Sequence, residues 1–154
     1  MMNQSHDPAR KIVVGVDGSD SSKAALRLAV RQAELTGSSV EAVIAWHYPV
    51  MMGGFGYGPV SAMVLNFDEI AAKTLADVIA EVVDPQSRVP ISSTVQEGHP
   101  AQVLLHAADG ADLLVVGSRG HGGFASALLG SVSQHCAHHA PCPLLIVRDH
   151  ASSA

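Results

Sequence analysis

The apolar positions of this chain fall into short β-branched runs that alternate with stretches of helical period. Lys11 to Val16 is nearly uninterrupted, as a strand covered on both faces requires. Asp17-Gly18-Ser19-Asp20 is turn and cap chemistry, with Ser19 or Asp20 available as a helix N-cap. Leu26, Ala29, Val30 and Ala33 then recur at i, i+3, i+4 and i+7, and Gly37 is placed to close that helix. Val40 to Trp46 predicts a second strand, stopped by Tyr48-Pro49. Ala71, Leu75, Val78 and Val82 share one face of a helix that starts between Val64 and Asp68 and ends before Pro85. Ile91 to Gln96 alternates and is rich in polar residues, which suits a strand nearer an edge. Pro100 opens a short helix carrying Val103, Leu104 and Ala107, with Gly110 as its expected C-cap. Leu113 to Val116 is the most apolar strand and is expected near the centre of a sheet. Val132 to Ala140 is the last helix, stopped by Pro141, and Leu144 to Val147 is the fifth strand. Such alternation predicts an α/β fold, with right-handed crossovers and a parallel sheet covered on both faces. Met1 to Ala9 reads as a loose leader, and the glycine-rich stretch Gly53 to Gly58, with Phe55 and Tyr57, as a flexible connection.

The fourth strand runs into Gly117, Gly120, Gly122 and Gly123, and a later Gly130-Ser131 leads into the last helix. A glycine-rich loop that feeds a helix start is a natural anion site. Its backbone N–H groups are free to point at an oxyanion, and the helix start adds partial positive charge. Ser131 is expected at or near the N-cap. The stretch therefore reads as the phosphate grip of a nucleotide site. It is not a P-loop, because the loop contains no lysine. Nor is it the dinucleotide fingerprint, which belongs in the first strand-to-helix turn.

The spacing Gly117, two residues, Gly120, nine residues, Gly130-Ser131 resembles the nucleotide-binding pattern of the universal stress protein family. The resemblance runs from about Arg10 to Val147 and includes Gly15-Val16-Asp17 after the first strand. It implies a three-layer, flavodoxin-like (Rossmann-like) open parallel sheet of five strands in the order 3-2-1-4-5. That order would make the first and fourth strands neighbours. It also implies an ATP-binding regulatory protein, commonly a homodimer, in which the final strand offers a pairing edge.

The pocket expected on this basis comprises Gly15, Asp17, Ala45, Val116, Gly117, Ser118, Arg119, Gly120, Gly123, Gly130, Ser131, Val132 and Ser133. Asp17 can accept hydrogen bonds from ribose hydroxyls or help place magnesium beside phosphates. It can equally serve as an ordinary Asx-turn. Ala45 is the expected neighbour of the base, and Trp46 is left to packing. Gly117 and Gly120 are expected to let the backbone close on phosphates, with Gly120 at positive φ. Arg119 and His121 can pair with phosphate or face solvent.

Composition narrows the alternatives. A chain of 154 residues with 47% apolar content is read as one domain, 1–154, with its core over 10–148. Its apolar segments are too short and interrupted to span a bilayer, and no secretory signal is seen, so a cytoplasmic protein is expected. A net charge of −5 without a basic stripe speaks against nucleic acid. Two cysteines, Cys136 and Cys142, make no disulfide framework. They lie with His135, His138 and His139, and a metal or redox module there is the weakest reading. His135 and His139 share a face, but Cys136 lies about 100° around the helix and no paired C-x-x-C exists. An ATP-hydrolysing enzyme of the related α/β folds is the other alternative. Neither the Ser-Gly-Gly-x-Asp-Ser loop nor the His-x-Gly-His motif is present after the first strand, so efficient catalysis is not expected.

Overall fold

The computed structural model describes residues 10–48, 66–120 and 129–149. The leader, the stretch with Gly53 to Gly58, Phe55 and Tyr57, and the loop positions His121, Gly122 and Gly123 lie outside the described residues.

Strand β1 (Lys11–Gly15) buries Ile12, Val13 and Val14 almost completely. Successive side chains of a strand point to opposite faces. Ile12 and Val14 accordingly join one core with Leu26, Ala29, Val30 and Ala33 of helix α1 (Asp20–Thr36). Ala71, Leu75 and Val78 of helix α2 (Phe67–Val82) complete that layer. Val13 instead joins Val103 and Leu104 of helix α3 (Pro100–Ala107) and Cys136 of helix α4 (Ser131–His139). The uninterrupted apolar run of β1 is thus explained by burial on both faces. Leu26, Leu75 and Leu114 are fully buried, each worth about 2 kcal/mol of transfer free energy.

The remaining strands are β2 (Ser39–Trp46), β3 (Ile91–Glu97), β4 (Leu113–Gly117) and β5 (Leu144–Val147). All neighbours are parallel, in the order β3-β2-β1-β4-β5. The polar strand β3 lies at an edge, as its pattern predicts. β4 is an interior strand, whereas the middle of the sheet is β1. After β3 the chain crosses to the far side of β1, so β1 and β4 flank the point where strand order reverses. Crevices beyond the carboxyl ends of such a pair are the usual ligand sites of open α/β sheets.

One cap differs from expectation. Helix α3 ends at Ala107 with Ala108 as its cap, and Gly110, at φ +80°, lies in the turn leading to β4. The N-cap position of α4 is Gly130, and Ser131 follows at the first helical position, near the N-cap as expected. At α1 both caps are as the sequence predicts. The Ser19 hydroxyl accepts from the Ser22 N–H, and Gly37, at φ +72°, donates to the Ala33 carbonyl. Among the described residues no helix is long and apolar enough to cross a membrane.

Candidate functional site

The turn after β1 is held by Asp17. Its Oδ1 accepts from the Ser19 N–H at 2.9 Å and from the Ser19 hydroxyl, while its own N–H donates to Ser22 Oγ at 3.3 Å. One carboxylate oxygen therefore serves the Asx-turn that starts α1. The other, Oδ2, faces the glycine loop. A Cβ built on Gly120 would stand 2.6 Å from it. Asp17 thus both holds the turn and lines the cavity.

Gly120 does not have positive φ, since the positive-φ glycines among the described residues are Gly18, Gly37, Gly98 and Gly110. Its requirement for glycine is steric, set by the Asp17 carboxylate. Gly117 is also constrained by packing. A Cβ there would overlap Ser21 Oγ and approach the Ser21 carbonyl carbon to 2.7 Å. The end of β4 thus lies directly against the first turn of α1, and the Arg119 N–H donates to Ser21 Oγ at 3.3 Å.

Ser118 is buried and bonded through its backbone. Its N–H donates to the Val147 carbonyl at 2.8 Å, and its carbonyl accepts from the Gly130 N–H at 2.7 Å. Ser133 Oγ donates to the carbonyls of Ser118 and Gly130, at 3.2 and 2.9 Å. These bonds clamp the two ends of the glycine loop together. They also hold the start of α4 beside β4.

Gly130 brings no side chain to cap α4. The first intrahelical bond runs from the Gln134 N–H to the Gly130 carbonyl at 3.0 Å. The N–H groups of Ser131, Val132 and Ser133 are therefore the orphan donors of the helix start, with the positive end of its dipole behind them.

These pieces enclose a cavity of about 400 Å³, within the size range of small-ligand sites. Gly15, Asp17 and Ala45 line it from β1 and β2, and Val116, Gly117, Arg119 and Gly120 line it from β4 and the loop. Gly130, Ser131, Val132 and Ser133 line it from the start of α4. Of the expected pocket residues, Ser118 stands behind the wall and Gly123 falls outside the described residues. The cavity also takes in Val16, Ser22, Val43, His47, His99, Pro100 and Leu104, which sequence reasoning did not find. Pro100 and Leu104 come from α3, which the alternation rule alone already places over a sheet face. No local motif marks the two histidines.

The cavity is polarised. One end carries the uncapped helix start and the exposed Arg119. The other is walled by Val43, Ala45 and Leu104, with His47 and His99 at its rim. Among the described lining residues Asp17 is the one carboxylate, and none is a lysine. Outside the cavity, Cys136 is fully buried in the core, and that burial pushes its thiol up to about 11. It points away from the exposed His135, His138 and His139. Among the described residues no three His, Cys, Asp or Glu side chains are grouped to hold a metal.

The model of the universal stress protein family matches residues 8–148. A universal stress protein of Mycolicibacterium smegmatis is 33% identical over 143 residues, covering 93% of this chain and 47% of the relative. The chain thus spans about half the length of the curated relatives it matches. A universal stress protein structure from Lactobacillus plantarum superimposes with a TM-score of 0.76 at 23% identity, over 92% of this chain and 99% of that one. A universal stress protein crystallised in complex with cAMP gives a TM-score of 0.60 at 29% identity, over 90% of this chain and 95% of that one.

Proposed function

Because the chain belongs to the universal stress protein family, we propose that its cavity binds an adenine nucleotide, ATP with magnesium, and that occupancy regulates a stress response. The observation that carries this reading is the meeting of two features in one cavity. The uncapped start of α4 supplies anion-binding N–H groups, and Gly120 brings the loop backbone against Asp17. The cAMP complex of a relative supports adenine as the base.

In this reading the Ser131 hydroxyl and the N–H groups of Val132 and Ser133 receive phosphate oxygens. Arg119 adds charge-assisted donors from the loop. The free Oδ2 of Asp17 takes a ribose hydroxyl or the magnesium side. Gly15, Val43, Ala45, Val116 and Leu104 form the apolar wall for the base. Ser118 supports the loop from behind, and Gly123 belongs to the same loop. We treat residues 1–154 as one nucleotide-binding domain with its core over 10–148.

We assign regulation to the site, not efficient turnover. Asp17, the carboxylate among the described lining residues, gives Oδ1 to the turn through Ser19, and in this reading its Oδ2 is taken by ribose or magnesium, which keeps it from serving as a general base for water. None of the described lining residues is a lysine that could offset charge developing on a leaving phosphate. Ligand phosphates would instead strengthen the clamp between β4 and α4 and shift its population. We further place the protein in the cytoplasm as a homodimer paired through β5. That strand ends the sheet, and its four residues are all half-buried.

The test is extraction of nucleotide from the purified protein, followed by dialysis of the emptied protein against labelled ATP. Adenine nucleotide in the extract, or uptake of ATP by the emptied protein, supports the reading. A nucleotide-free extract together with no uptake contradicts it.

A further inference from the structure

His47 and His99 are 52 residues apart in sequence, yet their rings stack with centroids 5.6 Å apart and planes 25° from parallel. Both line the cavity. Their meeting is built by the backbone. Trp46 and Glu97 are register partners at the ends of β2 and β3, and the Gly98 N–H donates to the Trp46 carbonyl at 2.8 Å. Gly98 then turns at φ +143°, where a Cβ would also press on Val103, and His99 follows at the start of α3. His99 makes no side-chain capping bond to that helix, so capping does not explain its ring.

His47 is held from the other side. Its neighbours Trp46 and Tyr48 pack edge to face at 5.3 Å, and Tyr48 packs edge to face with Phe67 of α2 at 5.5 Å. These aromatics anchor the chain after β2 against α2, while His47, between them, lines the cavity. The pair stands at the end of the cavity opposite the anion site. From β4 to β3 there are three strand spacings, about 14 Å. A ligand with its anionic group at α4 therefore extends its other end towards these two rings.

We propose that the stacked His47–His99 pair reads the aromatic base of the ligand and selects for it over the phosphate chain alone. This rests on the nucleotide reading of the cavity. Two coplanar-leaning imidazoles at the rim of an apolar pocket offer a π surface that a purine can extend, with ring nitrogens for its polar edge. Stacking of this kind is tolerant of base identity but needs a base. The two rings act as a unit, so removing either disorganises the other.

The experiment compares ATP and inorganic tripolyphosphate as ligands of the parent protein, His47→Ala and His99→Ala, with thermal melting as the fold control. Each substitution should weaken ATP about five- to tenfold and leave tripolyphosphate within twofold. The double variant should be little weaker than either single one. ATP affinity within twofold of the parent in both variants overturns the proposal, as does an equal loss of ATP and tripolyphosphate. Failure of the parent to bind ATP at all overturns instead the nucleotide reading on which the proposal rests.

Discussion

The Asp17 carboxylate lies so close to the Cα of Gly120 that a methyl group placed there would stand 2.6 Å from Oδ2. Contacts under 3 Å of this kind force a shift, and Asp17 has little freedom to move because its Oδ1 is tied to Ser19. Gly120→Ala should therefore push the loop off the carboxylate without touching the core. The expected result is at least about a tenfold loss of ATP affinity with a melting temperature within a few degrees of the parent. Calorimetric titration and a thermal melt check both halves.

Gly117→Ala should behave differently. Its new methyl group meets Ser21 backbone in the first turn of α1, which cannot rotate away. Overpacking of this sort costs about 1–3 kcal/mol. Denaturant unfolding should show that loss, with binding weakened as a consequence. A Gly117→Ala protein as stable as the parent would contradict the contact.

Asp17→Asn retains an oxygen that can accept from Ser19 and removes the charge. The turn should survive. In the parent, magnesium is expected to strengthen ATP binding by about tenfold if Asp17 helps hold it beside the phosphates. In the variant the difference between titrations with and without magnesium should shrink to about threefold or less. An unchanged magnesium effect would remove Asp17 from the metal side of the site.

Burial pushes the Cys136 thiol from 9.0 up to about 11. The folded state favours the neutral thiol, so the folded pKa lies above the unfolded one. The associated stability is full below pH 9 and is lost as pH rises towards 11, by up to about 3 kcal/mol. Denaturant unfolding between pH 8 and 10.5 should show a steeper decline for the parent than for Cys136→Ala. Iodoacetamide at pH 8 should label the half-exposed Cys142 and spare Cys136.

Much of this arrangement was legible in the sequence because it rests on local signals. β-branched runs bounded by turn residues located the strands, with β5 placed at Leu144 to Val147 as observed. The glycine spacing located the loop, since its ends meet at Ser118 and Gly130. What it could not reveal was the reason for each glycine. Gly120 was expected at positive φ, yet its constraint is a carboxylate from a turn about a hundred positions away. Gly117 lines the cavity and is also pressed against Ser21, a contact that no local pattern shows. Ser131 stands at the first position of α4, beside the N-cap position as the sequence indicates, and with Gly130 there bringing no capping side chain its N–H is a free donor. The histidine pair was invisible because it depends on β2 and β3 being neighbours in register, a pairing that no local pattern of His47 or His99 encodes.

The central claim is that the uncapped start of α4 and the Asp17–Gly120 contact form an adenine-nucleotide site. Its most direct test is isothermal titration of ATP into nucleotide-free protein, with Gly120→Val run in parallel. The account predicts one saturable site at micromolar affinity in the parent and no measurable binding in a Gly120→Val protein that remains folded. Equal binding by the two proteins, or no heat from the folded parent, would contradict it.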